Sequence, residues 1–556
     1  MSRILGQFGT DIAPYVLREA AGRDGGGVRV QHGTGWALAG AAADADGGVA
    51  AVLTGRLDVR LPLLSRIEAG GRGVAERAPA TLVRAAFQTE GPECTGLLRG
   101  RYAVAVADTR GAQRLVLATD DAGSIPIYHH WDRVRQVFSF ASDLPALLAL
   151  LPSRPALWQP GLDAYLTTGA ALDGRTLFDG VRMLPPGTTA VYERGIGLRL
   201  IRRDPAVGAT VPAPGTAGRE LQLERARRSR GGTPADALLD LPGPGTTLLR
   251  ELTGPDLPSA GPAPGEAGSD ALLPLDRRWV RDLPALLPEL VWRLGQPEAD
   301  PGALLVSALY AAARRRGIGT VLASDAAEEV VAGRRRVEAA LGEGPQDWLS
   351  CYADRLAPVP AAHRAKLYTR DYRAFLDDRG DAAHGLAARL GAEAERRSRR
   401  AALTAFELDE LLPVRGLRRT AHLAGGHAVS GLLPWPARRL WTAAAPYAAG
   451  PAPTAAAGAL SGLLAPGSEL MDFVRETLSP SRLRISGLLS RRSVEKLFAA
   501  QLARPSERLV GTIWALVMFE LWREEFGPAV RRPVPPPVRA KSPADLPALT
   551  RRAPVL

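Results

Sequence analysis

Three acidic side chains, Asp325, Glu328 and Glu329, fall within five positions just after the short apolar run Thr320-Val321-Leu322-Ala323. Acids at a helix start are favoured by the partial positive charge of its N-terminus. Taken alone, they read as a solvated helix start. His129-His130, with Asp132 close by, offer nitrogen and oxygen ligands, and a zinc site is conceivable there. Exposed histidines at a strand end are the plainer reading. Cys351 has His363 nearby in sequence, but nothing orients them as a nucleophile and base, so Cys351 reads as a structural thiol. Cys94 and Cys351 are the only cysteines, too few for a disulfide framework or a Cys-rich zinc site. Trp514 and Trp522, at helical spacing, read as core residues.

These residues need elements to position them. Tyr102 to Ala107 and Leu115 to Ala118 are apolar runs bounded by the turn residues Asp108, Gly111, Asp120 and Gly123, a strand–turn–strand signature. Val137 to Ala141 reads as another strand, and Leu144 to Leu151 as a short helix closed by Pro152. Residues 204–232 are rich in Pro, Gly and Arg without periodicity and read as a linker. Leu238 to Leu241 is a short strand. A helix of about fifteen residues ending at Arg314-Arg315-Arg316-Gly317 precedes a second strand at Thr320 to Ala323, which is α/β order. The remainder to Gly527 reads as mostly helical. The run from Pro255 to Gly268 reads as a flexible loop, and the Pro- and Arg-rich tail 531–556 as disordered.

The 556 residues are long enough for more than one core, and 46% hydrophobic with 23% charged residues is globular composition. The net charge of +12 raises the question of a nucleic-acid partner. Only three of the basic residues are Lys (Lys366, Lys496, Lys541), there is no Asn, and the arginines are spread along the chain. That is the codon bias of a GC-rich genome rather than a nucleic-acid footprint. Residues 1–13 lack a basic segment followed by an apolar run, and no uncharged apolar stretch of about 18 residues occurs. A cytoplasmic location with no membrane partner is expected.

Several segments, in order, resemble the asparagine synthetase superfamily. Its members join a glutamine-hydrolysing domain to an ATP-using amide ligase domain, and beta-lactam synthetases and lasso-peptide macrolactam cyclases belong to it. Leu98-Arg99-Gly100-Arg101-Tyr102-Ala103 is similar to the family's "L-x-G-x-F-A". Leu117 to Tyr128 is similar to "L-A-R-D-x-x-G-x-x-P-L-Y", and Phe140-Ala141-Ser142-Asp143 to "F-A-S-E". In the second half, Leu322 to Glu329 looks like "L-T-G-D-G-A-D-E", and Leu411 to Trp435 resembles the helical block ending in "R-x-P-F". The resemblance implies an α+β, N-terminal-nucleophile-type glutaminase-like sandwich over 1–203. After the linker 204–232 it implies an α/β, helix-rich, ATP-pyrophosphatase-like synthetase domain over 233–530.

The resemblance also shows what is missing. Ser2 stands where the family has its nucleophilic Cys, and a hydroxyl is far less acidic than a thiol. Thr54-Gly55-Arg56 replaces the family's Asn-Gly-Glu, losing an oxyanion donor and reversing a charge. Glutamine hydrolysis is not expected. The nucleotide loop "S-G-G-x-D-S-S" corresponds to Leu241 to Thr247. There Gly243, Gly245, Thr246 and Thr247 would be the nucleotide-binding positions, Gly245 replaces the metal-binding Asp, and Pro242 and Pro244 remove N–H donors. The stretch from Thr247 to Leu283 is too short for the family's adenine-holding strand and helix, so one βα unit is expected to be missing. No Lys lies between Pro434 and Ser493 to face the phosphates. Against these losses, Asp325 would retain nucleotide and metal contact, with Glu328 as a second metal ligand.

ATP and Mg²⁺ are therefore the cofactors if the chain is active, and there are none if it is not. The sequence favours an asparagine synthetase-related protein of peptide or natural-product biosynthesis, with an inactive glutaminase and a degenerate ATP site, partnered by an active ligase homologue or a precursor peptide. A working macrolactam-forming ligase and a basic nucleic-acid-binding protein are the alternatives.

Overall fold

A computed structural model describes residues 3–10, 12–22, 27–58, 61–71, 78–203, 236–241, 243–253, 259–260, 262–263, 273–274, 277–344, 347–433, 437–448, 464 and 467–527. The linker 204–232, the tail from 531, Ser2, Pro242, Pro434 and Trp435 lie outside the described residues.

The first two hundred residues build two antiparallel sheets. Their strands are Ile4–Gly9 (β1), Arg29–Gly33 (β2), Trp36–Gly40 (β3), Ala42–Asp46 (β4), Val49–Leu57 (β5), Gly100–Asp108 (β6), Arg114–Thr119 (β7), Tyr128–Asp132 (β8), Val137–Ala141 (β9), Val181–Met183 (β10), Thr188–Glu193 (β11) and Gly197–Arg202 (β12). One sheet runs β10-β8-β9-β1-β3-β2, the other β12-β11-β7-β6-β5-β4. Alternation along each strand feeds two cores. Ala103 and Ala105 of β6 face inward and meet Ile4, Phe8, Phe138 and Phe140 of the other sheet. Tyr102, Val104 and Val106 face outward against Leu82, Val83 and Phe87 of the helix Pro79–Glu90. The other sheet is covered by the helices Pro14–Gly22 and Leu144–Leu150, with Leu17, Leu144 and Leu147 packed on Leu5, Ala37 and Ala39. The layers are helix, sheet, sheet, helix.

Asp120 ties this stack together. One carboxylate oxygen accepts from the Ala122 and Ser124 N–H groups at 3.0 and 3.2 Å, the other from the Tyr102 N–H at 3.1 Å. Burial pushes its carboxyl pKa up, and these backbone donors oppose the rise. The turn after β7 is thus fixed to β6.

His129 corrects one expectation. It lies inside β8 rather than at an exposed strand end, is 9% exposed, and stacks on Phe138 with ring centroids 5.3 Å apart. Burial, with Arg182 and His130 adding to it, pushes its pKa down to about 4.

The second part is α/β. Ala237–Leu239 (β13), Ser259–Ala260 (β14), Thr320–Leu322 (β17) and Ser430–Leu432 (β18) form a parallel sheet in the order β14-β13-β17-β18. Pro262–Ala263 (β15) and Leu273–Pro274 (β16) make a separate two-stranded pair. Two expectations change here. The run 255–268, read as a loop, contributes β14 and β15. β13 has a neighbour where a βα unit looked absent, although it is only two residues long.

The helix Gly302–Arg315 leads into β17, and Gly317, at φ +77°, makes the left-handed turn that ends it. The helix Ser324–Leu341 follows β17 directly. Two π-helical turns, Glu407–Leu411 and Pro413–Leu417, interrupt the helical region where Pro413 cannot donate an i→i−4 bond.

The last described helix, Glu507–Phe526, joins the two parts. Its indoles donate to backbone carbonyls, Trp514 Nε1 to Glu298 and Trp522 Nε1 to Gly295, both at 3.0 Å. Trp522 packs on Phe178 at 5.0 Å and Phe519 on Tyr165 at 6.4 Å. One hydrophobic core consequently runs from Leu5 through Tyr165 and Phe178 to Trp522.

Candidate functional site

In a parallel sheet with helices following its strands, the loops at the carboxyl ends of adjacent strands form a crevice. β13 and β17 are adjacent and parallel, so Asp240, Leu241 and Gly243 after β13 and the start of the helix Ser324–Leu341 meet there. The sequence-expected residues Gly243, Gly245, Thr246, Thr247, Asp325 and Glu328 all gather at this crevice.

The loop leads into the helix Pro244–Thr253. Both threonine hydroxyls and most of the N–H groups described here are already engaged. Thr246 N–H donates to Glu328 Oε1 at 3.0 Å, and the Gly245 N–H also bonds the Glu328 carboxylate. Thr246 Oγ1 accepts from the Leu241 N–H at 3.2 Å, and Thr247 Oγ1 donates to the Gly243 carbonyl at 3.2 Å. The two glycines are there for closeness. A Cβ on Gly243 would collide with the Glu328 carboxylate, and one on Gly245 with the Glu328 backbone nitrogen. Burial pushes the Glu328 pKa up, and the two backbone donors pull against it.

Asp325 is 1% exposed. The expectation of a solvated helix start is therefore overturned. Its neighbours come from later in the chain, and the fold leaves it no solvent face. Oδ1 accepts from Tyr310 Oη at 3.3 Å, Oδ2 from Thr420 Oγ1 at 2.7 Å, and Arg419 Nε lies 3.9 Å away. Burial pushes its pKa up, while Arg419 and Thr420 oppose the rise. Arg419 also donates to Asp300 Oδ2 at 2.5 Å and to the Asp325 carbonyl at 3.3 Å.

Glu329 belongs to a neighbouring buried ion network. Arg336 Nη2 donates to it at 2.7 Å, and Arg415 stands 3.6 Å away. Arg336 also forms a bidentate pair with Glu407, both bonds 2.8 Å, and Tyr352 Oη adds a 2.7 Å bond to the same carboxylate. Burial alone would raise the Glu329 pKa, but Arg415, Arg336 and Arg419 hold it down at about 2.

Tyr310, Arg336, Glu407, Arg415, Arg419 and Thr420 were not identified from sequence. The basic runs Arg334-Arg335-Arg336 and Arg418-Arg419 were the local signals, and a basic run usually marks a solvated face. Arg418 and Arg419 are both 4% exposed.

Mg²⁺ and ATP do not fit this arrangement as it stands. The N–H groups that would cradle phosphate hold an internal carboxylate. The carboxylate that would meet a metal is bonded to Tyr310 and Thr420, with the Arg419 cation beside it. Among the described residues no cluster of three or more His, Cys, Asp or Glu stands close enough to share a metal ion.

At the other expected site, Ser2 lies outside the described residues. Thr54-Gly55-Arg56 ends β5, opposite Ala103-Tyr102-Arg101 of β6. Gly55 sits at φ +95°, and any Cβ there would strike the Arg101 carbonyl and Ile125. Ser142 Oγ accepts the Ile4 N–H at 3.1 Å, and Arg3 Nε pairs with Asp143 at 2.7 Å.

The glutamine amidotransferase domain family matches residues 45–198, and the asparagine synthase family matches residues 277–445. Both matched spans cover the architecture just described, the sheet sandwich first and the helix-rich α/β part second. No curated protein matches the sequence. Among solved structures, the glutamine phosphoribosylpyrophosphate amidotransferase of B. subtilis complexed with ADP and GMP is 12% identical over 50% of this chain and 70% of its own, with a TM-score of 0.27. A structure described as the allosteric regulatory enzyme of purine biosynthesis is 12% identical over 50% and 68%, with a TM-score of 0.26. A glutamine aminotransferase class-II domain protein from Silicibacter pomeroyi is 13% identical over 37% and 100%, with a TM-score of 0.23. Likeness of that extent adds nothing to the two domain matches. Those matches, in this order on one chain, make it a member of the asparagine synthetase-like superfamily.

Proposed function

We propose that this chain is a non-catalytic member of the superfamily, acting as the partner of an active amide ligase or of a precursor peptide in natural-product biosynthesis of the lasso-peptide kind. The observation that supports it is the Glu328 carboxylate bonded to the Gly245 and Thr246 N–H groups. Phosphate binding at a helix N-terminus uses free N–H groups and a field that favours negative charge. Here an internal anion already satisfies both. The Arg419 guanidinium beside Asp325 likewise supplies internally the positive charge a metal ion would bring. Gly245 for Asp and Ser2 for Cys remove the other groups the chemistry needs.

Calorimetry with Mg²⁺ and millimolar ATP tests the reading. No heat of binding is expected from the wild-type chain. Saturable binding that Asp325→Ala abolishes would overturn it and favour the working ligase. The partner is sought by co-purification with a neighbouring active homologue, and a stable, stoichiometric complex is expected.

A further inference from the structure

We propose that the end of the sandwich carrying Arg56 and Arg101 binds a small oxyanion. The two arginines are directly opposite each other in the β5–β6 register. Opposite residues of an antiparallel pair leave the same face with their Cβ atoms about 5 Å apart, and like charges so placed repel. Arg56 is only loosely offset, its Nε lying 3.7 Å from Asp58 in an exposed pair.

Arg101 is the stronger observation. Its Nη2 is closed off from solvent and has no hydrogen-bond partner. Asp120 and Asp325 are near enough to act on it electrostatically, and burial nonetheless pulls its pKa down. Both carboxylates have other hydrogen-bond partners. Asp120 holds three backbone N–H groups and the Ser124 hydroxyl. Asp325 is bonded to Tyr310 and Thr420, with Arg419 beside it. Arg101 as a whole is half-buried, but a donor shut away from solvent without an acceptor is unfavourable until something completes it. A guanidinium presents a rigid fork of donors that matches a carboxylate or a phosphate. The second fork, on Arg56, stands across the strand pair. The shared ligand chemistry is an oxyanion small enough to lie between them.

The full-length chain is titrated with inorganic phosphate and, separately, with succinate, against chloride at matched ionic strength. Heat of binding and melting temperature are both recorded. Saturable binding of one anion is expected, with a rise in melting temperature beyond that in chloride, and the arm that responds identifies phosphate or carboxylate. Arg56→Gln, at a half-exposed position, should weaken binding about tenfold, the loss of a charge-assisted hydrogen bond. Arg101→Met should abolish the heat and, by removing the uncompensated cation, melt no lower than wild type in chloride. No saturable heat with either anion overturns the proposal, as does a shift that Arg101→Met and Arg56→Gln both leave intact. An Arg101→Met chain that melts well below wild type would show the cation to be compensated already, and would overturn it too.

Discussion

Glu328→Ala should destabilise the chain by about 1–2 kcal/mol, because the helix Pro244–Thr253 loses its anionic cap and two N–H groups lose their acceptor. Urea unfolding of the variant beside wild type measures it. Arg336→Met should cost more, about 3–5 kcal/mol, since Glu329 and Glu407 would be left buried without their shared cation. The same unfolding experiment ranks the two. His422 provides a pH signature. It is buried against Tyr128, whose Oη lies 3.3 Å from its Nε2, and burial together with Arg418 and Arg3 pushes its pKa from 6.5 down to about 3. The folded state therefore refuses a proton that the unfolded state accepts. The stability this neutral ring contributes is complete above about pH 6.5 and falls away as pH drops towards 3. His422→Gln should flatten the decline in unfolding midpoint between pH 7 and pH 5 relative to wild type. Sequence order was enough to bring Asp325 and Glu328 to one crevice. It could not show their surroundings, because Arg419 and Thr420 arrive more than ninety residues later and nothing local to them marks the contact.

At the level of elements, strands with period-2 patterning were legible and the shortest were not. Val137–Ala141 was read with its observed ends, because Phe138 and Phe140 alternate with small residues between turn signals. β14 has two residues, too few to carry any period, and lies in a Pro- and Gly-rich run that argues against a strand. The π-helical turns around Pro413 were likewise invisible, since a proline alone says only that the ordinary hydrogen-bond ladder is interrupted. The Glu507–Phe526 helix was legible as core from its two tryptophans. Trp522→Ala should cost about 3–5 kcal/mol. It removes a fully buried indole together with a hydrogen bond to Gly295 and the packing against Phe178. Loss of near-ultraviolet circular dichroism at lower temperature than wild type would register it.

The whole molecule has a core that does not stop at the end of the sandwich. Tyr128 stacks on His422, Phe178 packs at a tilt against Trp522, and Arg154 Nη1 donates to the Phe526 carbonyl at 2.6 Å. Calorimetric unfolding should therefore show one cooperative transition with equal calorimetric and van't Hoff enthalpies. Two resolved peaks would refute that. The order of the two parts was legible from motif succession. Their fusion was not, because these residues that meet across the seam lie 294 to 372 positions apart. Among the described residues no helix is long and apolar enough to cross a membrane.

The closed loop after β13 has one more consequence, in time rather than in energy. An amide that waits for a phosphate meets water between visits and trades its hydrogen quickly. The Gly245 and Thr246 amides are held by a side chain of the same molecule, against a helix whose own start is buried. Their exchange with deuterated solvent should be governed by openings as large as those that expose the strands beside them, and added nucleotide should not slow it.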